Sequence, residues 1–144
     1  MRLPLRRLAS DDRGAAVVEF ALVLPILMLV VFIIIDGTRA FYTVNNLVSA
    51  AREGARYGSV LDLPCPITEA AKTPIKNRVL ATSNSFGGAE VTLAQVEVFF
   101  TNCAEVKVRV NNYPFRPLTP IAGPVGADSL LISREVVFRW ERAP

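Results

Sequence analysis

The sequence contains no histidine. That absence removes the side chain whose ordinary pKa lies nearest neutrality, the commonest metal ligand, and every nucleophilic constellation built on an imidazole base. Hydrolase and zinc chemistry lose their usual parts. Cysteine is nearly absent as well: Cys65 and Cys103 are the only two, neither in a Cys-x-x-Cys spacing, so no redox or metal motif is present. Lysine numbers three against thirteen arginines, and four of those arginines precede Gly14. Without residues 1–14, which carry four positive and two negative charges of the sixteen and thirteen in the chain, twelve stand against eleven. A body so close to neutrality has no electrostatic case for nucleic acid, and no such partner is expected. Gly87-Gly88 lacks the spacing of a phosphate-binding loop and reads as a turn before a strand, so no cofactor is expected either. The acids of the body fall on polar strand faces or in loops without forming a constellation, and no enzyme activity is expected.

What the sequence does have is one long apolar run. The chain of 144 residues has a mean hydropathy of +0.36, and the excess is concentrated near the N-terminus. Phe20 to Ile35 are sixteen uncharged apolar positions, and Ala15 to Val18 extend the run past the single charge of Glu19. From Ala15 to Ile35 a helix measures about 31 Å at 1.5 Å per residue, close to the roughly 30 Å hydrocarbon core of a bilayer. The run predicts one crossing, with the lipid bilayer as partner. Arg2, Arg6, Arg7 and Arg13 precede it, whereas Asp36 and Arg39 follow, so the positive-inside rule places the N-terminus in the cytoplasm and exports the rest. A cleaved secretory signal fits less well. The run is longer than the usual apolar stretch of about 7–15 residues, and Thr38-Arg39-Ala40 sets an arginine beside the bond to be cut. Pro25 is tolerated in a membrane helix and marks a bend rather than an end.

Glu19 is the informative position. A carboxylate within an apolar helix costs roughly 2.5–3.5 kcal/mol at mid-membrane and less near the interface, so it calls for a partner. If the chain were cut after Gly14, the new amine of Ala15 would lie four residues before Glu19 on the same helix face, beside the positive end of the helix dipole. The carboxylate could then neutralise that amine or the amine of a neighbouring copy. In an uncut chain Glu19 would snorkel to the headgroups, and the segment would be a plain anchor.

The string Arg13-Gly14-Ala15-Ala16-Val17-Val18-Glu19-Phe20, followed by the apolar run, resembles the type IV prepilin processing signature. Over Arg13 to Arg56 it resembles more specifically the TadE-like proteins of the tight-adherence (Tad, Flp) pilus. The residues that carry this are Ala21 to Pro25, the pair Asp36-Gly37, the cluster Arg39 to Tyr42 and the block Ala50 to Arg56. The resemblance implies a minor pilin-like (pseudopilin) subunit of a pilus assembly or secretion system in a bacterial inner membrane. It implies a prepilin peptidase and other pilin-like subunits and assembly proteins as partners. On that carry-over Gly14 is the last leader residue, Ala15 the mature N-terminus and Glu19 the assembly residue. The alternative is an uncleaved single-pass accessory protein with an exported partner-binding domain.

Beyond the apolar run, Ala40, Val44, Leu47, Val48, Ala51 and Ala55 recur at spacings of three and four, and Asn45, Ser49, Arg52 and Arg56 mark another face. One helix is predicted from about Ala15 to Tyr57, with Gly37 loosening the joint and Gly58 as C-cap. Phe41 and Tyr42 serve either as an interfacial anchor or as core residues. A second helix is expected between Ile67 and Thr82, using Ile75, Val79 and Leu80, with Pro74 as its start or a break. Three alternating strands follow, burying Val96, Val98 and Phe100, then Val106, Val108 and Val110, then Leu130, Ile132, Val136, Phe138 and Trp140. Arg134 breaks the third pattern and signals a bulge or an edge. Residues 114–126, rich in Pro and Gly, read as a long surface loop, and Pro64-Cys65-Pro66 as a rigid one. A small exported body benefits from a staple, and pairing Cys65 with Cys103 would stabilise it by roughly 2–4 kcal/mol. The expected organisation is thus a basic cytoplasmic leader (1–14), a transmembrane helix (15–35), an amphipathic continuation (36–58) and an exported domain (59–144). The expected fold is α+β and pilin-like, a long N-terminal helix on an antiparallel sheet of about three strands.

Overall fold

The apolar run and the amphipathic segment form a single helix, α1 (Asp12–Ser59), of 48 residues and therefore about 72 Å long. No glycine–proline pair or turn cluster interrupts it, and it continues through Pro25. The computed structural model describes residues 12–63, 65–84, 90–118 and 129–140. The rest of the leader, Pro64, Gly87-Gly88 and most of the Pro/Gly-rich stretch lie outside the described residues.

Two halves of α1 meet different surroundings. From Val17 to Ile35 its large apolar side chains are exposed, Leu24 alone being half-buried, so this stem stands outside the core. By length and composition it can cross a membrane. From Leu47 onward the helix packs: Leu47, Ala50, Ala51 and Ala55 are buried, whereas Asn45, Ser49, Arg52 and Arg56 are exposed, as the periodicity predicts.

The second helix, α2 (Glu69–Asn84), seats Ile75 and Val79 at 0% exposure against this small-residue face. Pro74 neither starts nor breaks α2. It lies just beyond the first turn, where the lost N–H costs only one helical hydrogen bond. Gly58 corrects the expected C-cap. It sits within the last turn of α1, and a Cβ there would lie 2.9 Å from Ile75 Cδ1 and 3.1 Å from Val106 Cγ1. Its role is close approach, as is that of Gly54, where a Cβ would meet Val79 Cγ2 at 2.3 Å.

The strands β1 (Val96–Thr101), β2 (Glu105–Phe115) and β3 (Leu130–Arg139) form one antiparallel sheet in the order β1-β2-β3. The fold is α+β, a long N-terminal helix packed on a three-stranded sheet. Val96 and Val98 of β1 and Val106, Val108 and Val110 of β2 enter the common core with the α1 and α2 residues. The β1–β2 turn places Asn102 and Cys103 at φ near +50°, and the Ala104 N–H closes it by donating to the Thr101 carbonyl at 3.0 Å.

Arg134 lies on an edge strand, paired with Val110, and the extra residue of the bulge belongs to β2 instead. Asn111 and Asn112 oppose Ser133 alone, between the pairs Val110–Arg134 and Tyr113–Ile132. Asn112 has φ 51°. Its N–H donates to Ser133 Oγ at 3.1 Å on β3 and its carbonyl accepts at 3.1 Å from Nε2 of Gln95, in the short helical turn that leads into β1, so segments on both sides hold the kink. The bulge reverses the alternation, moving the buried positions from Val106, Val108 and Val110 to Tyr113 and Phe115. Residues 114 and 115, expected in the loop, therefore continue β2, and Pro114 pairs with Leu131.

Candidate functional site

Gly14, Ala15 and Glu19 occupy the first turns of α1, all exposed. Ala15 and Glu19 are one turn apart and so lie on one helix face. A Cβ at Gly14 would meet nothing within 4 Å, so the glycine answers no packing need of this fold. Glu19 stands among the exposed side chains of Val18, Phe20 and Val23. It is about 26 Å along the helix from Asp36, where the stem first meets the head. The predicted processing and assembly residues are thus brought together with one another and held away from Cys65 and Cys103.

The stem–head junction is built around a residue whose role the sequence reading missed. Asp36 directly follows the apolar run, yet it is 5% exposed. Its Oδ1 accepts the Leu118 N–H at 2.8 Å and faces Arg39 Nη1 at 3.4 Å. Arg39 in turn reaches the Arg116 carbonyl at 3.5 Å and lies 5.7 Å from the Phe115 ring centroid. One carboxylate and one guanidinium therefore clasp residues 115–118 against the first turn above the stem. The sequence signal was an acid at the end of an apolar run; its partner is 82 residues away in a proline-rich stretch. Replacing Asp36 with alanine leaves the Leu118 N–H without this acceptor, a loss of about 1–2 kcal/mol. The expected readout is faster amide hydrogen exchange at Leu118, with Asp36→Asn, which keeps an acceptor oxygen, closer to wild type.

Phe41 and Tyr42 are 69% and 51% exposed, which settles their alternatives against the core. They flank the junction on the outside of the helix.

Cys65 and Cys103 form a disulfide with Cα atoms 6.4 Å apart, tying the β1–β2 turn to the segment that follows α1. The same segment is held again by Trp140, whose indole N–H donates to the Leu61 carbonyl at 3.0 Å and whose ring meets Phe100 edge-on at 5.3 Å. The Trp140 backbone N–H donates to the Ala104 carbonyl at 2.7 Å.

On the helix pair, Glu53 accepts two hydrogen bonds from Arg56 and two from Arg78, the latter bridging α1 to α2. The Arg56 bonds, then those from Arg78, hold the Glu53 carboxyl well below the usual range, at about 2. Because this folded pKa lies below the ordinary 4.5, the stabilisation is complete above pH 4.5 and is lost as pH falls toward 2. A full shift of that size would amount to about 3 kcal/mol, but with Arg56 and Arg78 62% and 50% exposed, screening leaves about 1 kcal/mol. Unfolding midpoints at pH 6 and pH 2.5 should differ less in Glu53→Gln than in wild type.

With the stem, the clasp and the small-residue face located, the comparison with known families falls on one continuous stretch. Residues 14–56 match the family model of TadE-like protein. No curated protein and no solved structure matches the chain. The TadE-like segment begins at Gly14, includes Glu19, Asp36 and Arg39, and ends at Arg56, just past Ala55 of the face that receives α2. It therefore contains the helical half of the clasp and of the Glu53 cluster. The sheet, the disulfide and residues 115–118 lie beyond it.

Proposed function

We propose that the chain is a membrane-anchored, non-enzymatic pilin-like subunit of a Tad-type pilus assembly or secretion system. Its leader is removed after Gly14 by a prepilin peptidase, and Glu19 pairs with an Ala15 amine when copies or related subunits come together. The observation that carries the reading is the TadE-like match over residues 14–56, laid on a helix whose first half is apolar and exposed while its second half is rooted in a folded head. Such a helix is at rest in a bilayer and, once withdrawn, presents a continuous apolar surface to equivalent helices. The basic residues before the apolar run support a cytoplasmic N-terminus, with the head on the opposite side.

Intact mass measurement with N-terminal sequencing of protein purified from native membranes tests the reading. A chain beginning at Ala15 is expected. A chain that retains residues 1–14 would reduce the segment to an uncleaved anchor and leave the head as the functional part.

A further inference from the structure

We propose that the clasp at the stem–head junction makes a second membrane contact, seating Leu118 in the interface of the leaflet from which the head emerges, beside lipid phosphates held by Arg39 and Arg116. The proposal rests on the membrane-spanning reading of the stem. It begins from height along the helix. Ile35 ends the apolar run, and Asp36, the next residue, holds the Leu118 N–H at 2.8 Å. The backbone of residue 118 is thereby fixed within one helical turn of the point where the stem leaves the hydrocarbon. At that level Leu118 is 61% exposed, an apolar side chain presented where a bilayer surface surrounds the stem.

The groups around it match the layered chemistry of that surface. Phe41 and Tyr42 are exposed about one to two turns higher, in the zone where amphipathic aromatic rings concentrate. The Arg39 side chain is 47% exposed despite its contacts with Asp36 and the Arg116 carbonyl, and Arg116 is exposed too. Two guanidiniums at headgroup level suit phosphate oxygens, to which arginine donates through a planar fork. Asp36 is only 5% exposed, and its carboxylate is taken up by the Leu118 N–H and the Arg39 guanidinium, so it does not repel those phosphates. The contact continues the stem's own apolar surface, and it would hold the head in one orientation on the membrane.

The test uses the full chain reconstituted in phosphatidylethanolamine–phosphatidylglycerol vesicles, with a nitroxide attached at one introduced cysteine under non-reducing conditions. Leu118→Cys reports the contact, Val30→Cys the stem, and Asn77→Cys the exposed side of α2 at the far part of the head. Collisions with oxygen, which concentrates in the bilayer, and with a water-soluble nickel complex are compared at each position. The expected result is an oxygen-to-nickel collision ratio at 118 several-fold above that at 77, with the ratio at 30 highest. A ratio at 118 equal to that at 77, with position 30 still in the bilayer, overturns the second contact and leaves the anchor intact. A water-exposed label at 30 overturns both. In Asp36→Ala, which releases the clasp, the label at 118 is expected to move toward the value at 77; a label that stays in the interface would overturn the role given to the clasp.

Discussion

Replacing Glu19 with alanine is expected to yield a chain that begins at Ala15 and no longer assembles, whereas replacing Gly14 with leucine is expected to leave the chain at full length. Neither change disturbs the folded protein. A side chain at Gly14 meets open space, and Glu19 is exposed among apolar neighbours. Alanine and leucine are both strong helix formers, so α1 gains rather than loses local stability. Removing the carboxylate also makes insertion easier, since an acid in an apolar helix costs up to roughly 2.5–3.5 kcal/mol. Lost assembly in Glu19→Ala therefore could not be assigned to misfolding or to failed anchoring. It would isolate the one thing the carboxylate still offers, a charge for an amine. The checks are intact mass for maturation and co-purification with pilin-like subunits, together with surface filaments, for assembly. Unchanged size and undiminished assembly in both variants would remove the prepilin-like reading altogether.

How far the sequence reaches into this molecule depends on whether the controlling contact is local. The long helix, its apolar stem and its two faces were legible because a period of 3.6 residues is written in consecutive residues, from Ala40 to Arg56. β1 and β2 up to Val110 were legible for the same reason with a period of two, as was the inner face of β3 at Ile132, Val136, Phe138 and, just beyond it, Trp140, whereas Leu130, expected on that face, is exposed. Within β2 the reading stopped at Val110, because the extra residue at Asn111–Asn112 reverses the alternation and makes Tyr113 and Phe115 look out of phase. The bulge is held by Gln95, in the turn before β1, and by Ser133 of β3, partners that no window around Asn112 contains. Asp36 was visible as a charge at the end of an apolar run, but its acceptor role depends on Leu118. Gly58 carried the signature of a helix stop, while its true constraint is the proximity of Ile75 and Val106. Gly14 and Glu19 are the reverse case. Gly14 meets no packing neighbour and Glu19 is exposed, so the motif is what marks them, and the partners that would give them meaning are other molecules.

Gly54→Leu is expected to destabilise the head by about 3 kcal/mol or more, the largest effect on stability of any single substitution considered. The cause is the distance between two helices. Even a Cβ at position 54 would lie 2.3 Å from Val79 Cγ2 and 3.6 Å from the Ile75 carbonyl oxygen. Val79 is fully buried and β-branched, so its methyl has no open rotamer to turn into. Relief requires α2 to move away from α1, which also separates Arg78 from Glu53. Gly54→Ala sets two terms in competition: about 1 kcal/mol gained in helix propensity against about 1–3 kcal/mol of overpacking. Overpacking wins because the obstacle is a stiff side chain. At Gly58 the nearest atom is the mobile end of Ile75 at 2.9 Å, so Gly58→Ala should cost less than Gly54→Ala. At Gly37 a Cβ meets nothing within 4 Å, and Gly37→Ala should be neutral or stabilising by up to about 1 kcal/mol. Trp140, the single tryptophan and buried in the head, reports all four transitions by fluorescence in detergent micelles, where the stem stays solvated by apolar chains. An unfolding midpoint for Gly54→Leu equal to that of Gly37→Ala would mean that α2 does not dock on the small-residue face of α1. The glycine and alanine residues of the TadE-like segment would then need a different explanation. The expected order, Gly37→Ala above Gly58→Ala above Gly54→Ala above Gly54→Leu, would instead tie that part of the segment to one requirement, a helix surface flat enough to seat α2.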